Sequence, residues 1–240
     1  MMTKKIVIDK AHGGKDPGAV GNGLVEKELS VKICDYMYEY LKDNYTGFEV
    51  RFTRTTDVFV ELSKRAKIAN DYDADVFISN HVNAGGGTGY ESYVYTNASA
   101  ASKALQNVLN DEALTTAKKY GLGAHGEDRK RANYQVLRDT KMPALLTELC
   151  YIDSKDNKLL KNDDFLKDMA HAYARGVAKF LGLKAKTVTT ASIKEYHTVV
   201  KGDTVSAISR EYDTTIAKIK GWNNLDSKYT IQIGQKLRVK

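Results

Sequence analysis

The sequence holds only two cysteines, Cys34 and Cys150, in 240 residues. Two cysteines cannot build the disulfide framework of a small secreted domain. Cys34 falls in a helical pattern and Cys150 just after an apolar strand, so both read as reduced core thiols, which suits synthesis in the cytosol. Long apolar runs are absent too. Nothing approaches the roughly 18 residues of a membrane-spanning helix. The basic N-terminus passes straight into Ile6-Val7-Ile8, without the apolar stretch of about 7–15 residues that marks a secretory signal. No signal peptide is therefore expected. No arginine-rich arm accompanies the formal charge of +7. That surplus suits a polyanionic partner, whether nucleic acid, anionic lipid or an anionic cell wall; with no nucleic-acid motif beside it, nucleic acid is not the expected one. Hydrophobic residues at 42% and charged residues at 28% supply enough apolar material for a sizeable core, which excludes wholesale disorder.

What is there is an alternation of short apolar runs and longer amphipathic stretches up to residue 183. Strands are expected at 5–9, 48–53, 75–79, 90–95 and 144–149. Helices are expected at 26–44, around Leu62, Ala66 and Ala69, at 98–120 with Gly121 as its C-cap, and at 165–181. The order predicts an α/β fold, a twisted and mostly parallel sheet covered by helices. Residues 184–195 are polar, without apolar periodicity, and read as a linker; a flexible tether of about 12 residues spans roughly 20 Å. Residues 196–240 then read as a small β-α-α-β unit. The expected domains are 1–183 and 196–240.

Open α/β sheets place ligands at the C-terminal ends of their strands. His12 follows the first strand, His81 ends the third, and Glu148 sits at the end of the strand 144–149. Glu26 opens the first long helix after the glycine-rich loop 18–23. Two imidazoles and a carboxylate are a familiar protein donor set for a catalytic zinc with one open position. A further carboxylate could move the protons of amide hydrolysis. Residue types and strand ends alone leave open that His12 and His81 merely hydrogen-bond where they stand.

The wording around these residues is specific. Residues 6–19, IVIDKAHGGKDPGA, resemble the opening motif of the zinc-dependent N-acetylmuramoyl-L-alanine amidases, the type 3 amidase family. Further matches follow in the family's order: GLVEK at 23–27, FISNHVNA at 77–84, ANYQVLR at 132–138 and MPALLTEL at 142–149. The resemblance covers residues 4–183. It implies that His12, Glu26 and His81 bind zinc, one ion per domain, and that Glu148 is the catalytic carboxylate. Glu28 is a rival for Glu26, but the family's Glu-Lys pair falls on Glu26-Lys27. Two departures are visible: Ala11 stands where the family has Gly, and Asn80 and Val82 flank His81. Asn80 is expected beside the site. Asn83 and Arg131 are candidates for substrate contact, Arg131 from the basic run Arg129, Lys130, Arg131. Pro143 is expected to fix the start of the Glu148 strand. His125 lies in a glycine-rich loop and is expected to have no metal role; His171 and His197 read as structural or surface groups.

Residues 196–240 resemble a LysM module, through YHTVVKGDTVSAIS at 196–209, WNNL at 222–225 and IQIGQKL at 231–237. That implies binding of glycans containing N-acetylglucosamine. The groove is expected between the turn Gly202, Asp203, Thr204 and the loop at Ile231. Trp222 is expected in the core, because a 45-residue unit without disulfides must bury its largest side chain. Together the two resemblances imply a peptidoglycan hydrolase, and a monomer is expected. It would cut the amide between N-acetylmuramic acid and L-alanine, reaching the wall after release from the cytoplasm, as a phage endolysin or a bacterial autolysin. The alternatives are another zinc peptidase of the stem peptide and a wall-binding protein without activity.

Overall fold

The computed structural model describes residues 3–186 and 195–240. Two units separate after Lys186.

In the first unit, β1 (Lys4–Lys10), β2 (Phe48–Phe52), β3 (Val76–Asn83), β4 (Tyr90–Tyr95), β5 (Ala124–Ala132) and β6 (Ala144–Tyr151) form one sheet. Its order is β2-β1-β3-β6-β4-β5. All neighbours are parallel except β6 and β4, which are antiparallel. Ile6, Ile8, Ile78, Leu145 and Leu149 alternate along their strands and meet the helices α1 (Glu26–Asn44), α3 (Ala100–Ala117) and α4 (Asp163–Leu181). Leu29, Ile33, Met37 and Leu41 recur every fourth residue of α1, and Phe165, Met169, Tyr173 and Val177 do so on α4. Each set gives one apolar stripe. Gly176 lets α4 touch α3, since a Cβ there would lie 2.7 Å from the Leu109 backbone.

The opposite face is thinly covered. Val7, Phe77, Ala144 and Leu146 pack against α2 (Leu62–Asp71) and the single turn Gln135–Arg138. At the C-terminal edge of β1, β3 and β6 this face stays open.

Beneath that opening lies a buried ion pair. Arg65 Nη1 donates to Asp9 Oδ1 at 2.8 Å, with both side chains at most 2% exposed. Burial pushes the Asp9 carboxyl up, but the Arg65 charge and hydrogen bonds from Ser79 and Thr53 outweigh it and hold its pKa below the ordinary value. A carboxyl lowered on folding stabilises the fold above its unfolded pKa, and that contribution drains away as the pH falls through the folded value. Urea midpoints of the parent are therefore expected to fall with acidification below about pH 4, and those of Asp9→Asn to fall less steeply from a lower start. Equal slopes would show that Asp9 does not carry the acid limb.

Three expectations about the first unit change. Residues 124–132 form an edge strand, where the sequence reads as a glycine-rich loop followed by a basic run. Lys184–Ala185 pair antiparallel with Tyr45–Thr46, and Lys186 N–H donates to Asn44 O. Residues 184–186 thus belong to the first unit, because those backbone groups find partners there. The rest of the expected linker, 187–194, lies outside the described residues. Asn80 points away from the site. Its side chain meets Cys34 Sγ and Thr147 Oγ1 under α1, as strand alternation demands of the residue before His81.

In the second unit, β7 (Tyr196–Thr198) pairs antiparallel with β8 (Lys236–Arg238). Between them lie α5 (Val205–Glu211) and α6 (Ile216–Asn223), capped by the hydroxyls of Thr204 and Thr215. Val199, Val205, Ile208, Ile219, Leu225, Leu237 and Val239 make the core. Trp222 is not among them. These aliphatic side chains fill the small interior, and the indole lies half-buried with the Arg238 guanidinium 5.0 Å from its ring centroid.

Among the described residues no helix is long and apolar enough to cross a membrane.

Candidate metal centre and glycan groove

His12 sits just past β1, at φ +56°, a left-handed conformation that L-residues rarely adopt. Glu26 begins α1 and His81 lies near the end of β3. Their donor atoms all lie within 4.8 Å of one another. Glu26 Oε1 is 3.0 Å from His12 Nε2 and 2.9 Å from His81 Nδ1, and the two rings meet edge to face, 5.0 Å apart. Glu26 Oε2 accepts from Ala19 N–H at 2.8 Å. Gly18 is required here: a Cβ would stand 2.5 Å from Glu26 Oε2 and 2.7 Å from His12 Cδ2. Glu28, the rival, is exposed and outside the cluster.

The donors fit a cation. Asp16 Oδ2 lies 2.9 Å from His12 Nδ1, and an ionised carboxylate only accepts. In the neutral ring that a metal ligand must be, the proton is therefore on Nδ1 and Nε2 presents a lone pair. That lone pair is buried, has no hydrogen-bond partner among the described residues, and stands 3.0 Å from a carboxylate oxygen. Two electron-rich atoms so placed repel unless a positive charge lies between them. Burial lowers the His12 pKa, but Glu26 and Asp16 outweigh it and raise it. Burial raises that of Glu26, and the two imidazoles hold it far below the usual carboxylate range.

Glu148 pairs directly with His81 on one side and with Glu91 of β4 on the other. These two carboxylates have opposite surroundings. Glu91 is buried and accepts from Asn83 Nδ2 at 2.5 Å, Tyr93 at 3.1 Å and Tyr151 at 3.2 Å, and it pairs with Lys130. Glu148 Oε2 is buried without a hydrogen-bond partner among the described residues. Burial, then the charges of Glu26 and Glu91, pushes the Glu148 pKa well above the ordinary carboxylate value. The satisfied carboxylate is a fixture, and the unsatisfied one is available to a proton.

A cleft of about 490 Å³ opens over His12, His81 and Glu148. Phe59, Leu62, Tyr134, Val136 and Leu146 give it apolar walls, and Asp16 and Glu61 lie at its margin. Asn83 is near the site, but its amide is bound to Glu91. Arg131 is exposed and alternates with Lys130, which faces the site; Arg131 thus shares the α3 side with Arg129, whose guanidinium meets Asn107 and Asp111. His125 packs against Tyr151, His171 stacks on Tyr40, and His197 bonds Asp203, all outside the metal cluster. Sequence reasoning missed Asp16, Glu91 and the apolar walls. Asp16 and Glu91 carried a weak signal, one acid four residues past His12 and one inside an apolar strand.

In the second unit, Gly234 N–H donates to Val199 O at 2.7 Å and Val199 N–H to Gln235 O at 2.9 Å. These bonds bring the loop after Ile231 against the turn at 200–204. The Asp203 carboxylate is held by His197 at 2.6 Å and Val200 N–H at 2.8 Å, and Thr204 Oγ1 caps α5. Their side chains shape the turn. Val200 and Ile233, exposed by 57% and 71%, are apolar surface beside it.

Fold and donor set together describe an α/β domain with a candidate metal site at the C-terminal edge of its sheet. Residues 6–179 match the family model described as N-acetylmuramoyl-L-alanine amidase, and residues 197–240 match the LysM domain. The chain belongs to that amidase family and carries a LysM domain. It is 46% identical over 198 residues to the endolysin of Bacillus phage SPP1, covering 81% of this chain and 72% of that protein. It is 41% identical over 181 residues to the sporulation-specific N-acetylmuramoyl-L-alanine amidase of Bacillus subtilis strain 168, covering 75% and 69%. The catalytic domain of CwlV, an N-acetylmuramoyl-L-alanine amidase from Bacillus (Paenibacillus) polymyxa var. colistinus, superposes with a TM-score of 0.69 at 35% identity, covering 76% of this chain and all of that one. The enzyme class is thus N-acetylmuramoyl-L-alanine amidase, a peptidoglycan hydrolase.

Proposed function

We propose that this chain hydrolyses the amide between N-acetylmuramic acid and L-alanine with zinc held by His12 Nε2, Glu26 Oε1 and His81 Nδ1, and with Glu148 as general base and acid. The observation that carries the reading is the meeting of these three donor atoms beside an unpartnered carboxyl oxygen. Zinc bound there supplies Lewis acidity towards a carbonyl and a nucleophile from water at neutral pH. Glu148 takes the proton of the attacking water and returns it to the leaving nitrogen. Its raised pKa suits a group that must do both. The apolar walls at Phe59, Leu62 and Tyr134 face the substrate and limit water around the scissile bond. Glu91 and Lys130 neutralise each other and keep Asn83 and Tyr151 fixed behind Glu148.

Backbone groups of Gly202, Asp203 and Thr204, with Ile231, Val200 and Ile233, are the proposed surface for N-acetylglucosamine-containing glycan. The protein acts at the wall after release from the cytoplasm, as a monomer. The 46% identity to a phage endolysin favours a role in host lysis. The 41% identity to a sporulation-specific amidase supports the second reading, a bacterial autolysin.

Product analysis tests the activity: free lactyl ends on glycan and new L-alanine amines are expected in equal number. New termini within the stem peptide would make it a different peptidase. A chain ending at Lys186 is expected to keep its activity on soluble muropeptides and to lose wall binding. Tethering raises local concentration without new contacts, so the deficit on intact walls should grow as enzyme is diluted. Equal wall binding by both chains would remove the targeting role from 196–240.

A further inference from the structure

We propose that Asp9, Ser79 and Arg65 form a buried relay that positions both histidines of the centre and fixes which nitrogen His81 offers to the metal. The proposal rests on the reading of His12, Glu26 and His81 as ligands. Ser79 lies two residues before His81 on β3, on the same face of the sheet. Its Oγ is 2.6 Å from Asp9 Oδ2 and 3.1 Å from His81 Nε2. Asp9 is 1% exposed, and its Oδ1 accepts from Arg65 Nη1 at 2.8 Å and Thr53 Oγ1 at 2.6 Å. An Asp so paired is ionised and can only accept. The single hydroxyl proton of Ser79 is therefore committed to Asp9. What Ser79 turns towards His81 is an oxygen lone pair, so Nε2 must carry the imidazole proton. Nδ1 is then left bare, 2.9 Å from Glu26 Oε1, on the side where the donors converge.

The same arginine holds the other histidine. Arg65 Nη2 donates to His12 O at 2.7 Å, Nη1 also to Lys10 O at 2.8 Å, and Nε to Val60 O at 2.9 Å. Arg54 adds bonds to Lys10 O and Ala11 O. The strained backbone at His12 is thus clamped by guanidinium groups on three successive carbonyls. One cation, 2% exposed, reaches His12 through its backbone and His81 through Asp9 and Ser79. These are positioning residues, acting through the histidines. Partners of this kind orient metal-bound imidazoles and change metal affinity by about 10–100-fold when removed.

Ser79→Ala tests the relay in the full-length chain, since it deletes one hydroxyl and leaves the Asp9–Arg65 and Asp9–Thr53 bonds. Zinc affinity, measured by competition with a chromophoric chelator, is expected to fall about 10–100-fold, with the circular dichroism spectrum retained. At saturating zinc, KM for a soluble muropeptide should stay at the parent value. A second measurement needs no variant. Long-range 15N–1H spectra of the zinc-loaded parent should show His81 protonated on Nε2. Parent-like zinc affinity in Ser79→Ala, or a proton on His81 Nδ1, overturns the relay. His81→Ala is the reference arm. If it keeps the parent's zinc affinity, the ligand reading fails and the relay with it; if it loses zinc while Ser79→Ala does not, the relay alone fails.

Discussion

Removing the metal should abolish hydrolysis, and replacing His12 or His81 by Ala should do the same while emptying the site of zinc. The three donors come from separate stretches of chain, after β1, at the start of α1 and near the end of β3, and each supplies one atom to the cluster. With one imidazole deleted, Glu26 keeps a single nitrogen partner, and two donors rarely hold zinc in a protein. Dialysis against a strong chelator should therefore take turnover to background, and added zinc should restore it in the parent but not in the alanine variants. Metal content by atomic emission and lysis of wall suspensions on the same samples provide the check. Full activity in a chain shown to contain no metal would end the mechanism.

The second large effect is confined to proton transfer. Glu148→Gln keeps the size of the side chain and leaves His12, Glu26 and His81 untouched. Zinc content is expected to remain near one per chain and wall binding to remain at the parent level, while turnover falls by about 10²–10⁴-fold. Among the described residues Glu148 Oε2 has no hydrogen bond to lose, so the fold should tolerate the amide. Loss of zinc would reassign Glu148 as a ligand, and near-normal turnover would remove it from the reaction. Glu91→Gln is the informative contrast. That carboxylate gathers Asn83, Tyr93, Tyr151 and Lys130, and its damage should reach stability as well as rate.

The sequence made the site easier to read than its supports. Strong apolar periodicity marked α1 at its observed ends, Glu26–Asn44, and the strands of the sheet centre, where burial on both faces demands continuous apolar residues. The four site residues sat in family wording, three of them at strand ends and Glu26 at the start of α1. Strand β5 was not legible, because AHGEDRKRA has no apolar alternation. An edge strand needs only its backbone bonds, and here Lys130 and Arg129 are answered across space by Glu91 and Asp111. Arg65 was hidden for a related reason. Between Leu62 and Ala66 it reads as the polar side of a helix, yet Asp9 and three carbonyls draw it into the interior. Long-range pairing of charges leaves no local pattern.

The register of β6 also has a genetic meaning. His81, Glu148 and Glu91 lie side by side across three strands, and successive side chains of a strand face opposite ways. Loss of a single codon between Ala144 and Thr147 would leave β6 apolar and still able to pair. With the start of the strand held in register, it would turn Glu148 under the helices and bring Leu149 to the place beside His81. Codons gained in the loops beyond this edge carry no such consequence, because they move no residue along a strand. The reading frame of catalysis in this fold is therefore counted within the central strands, one residue at a time.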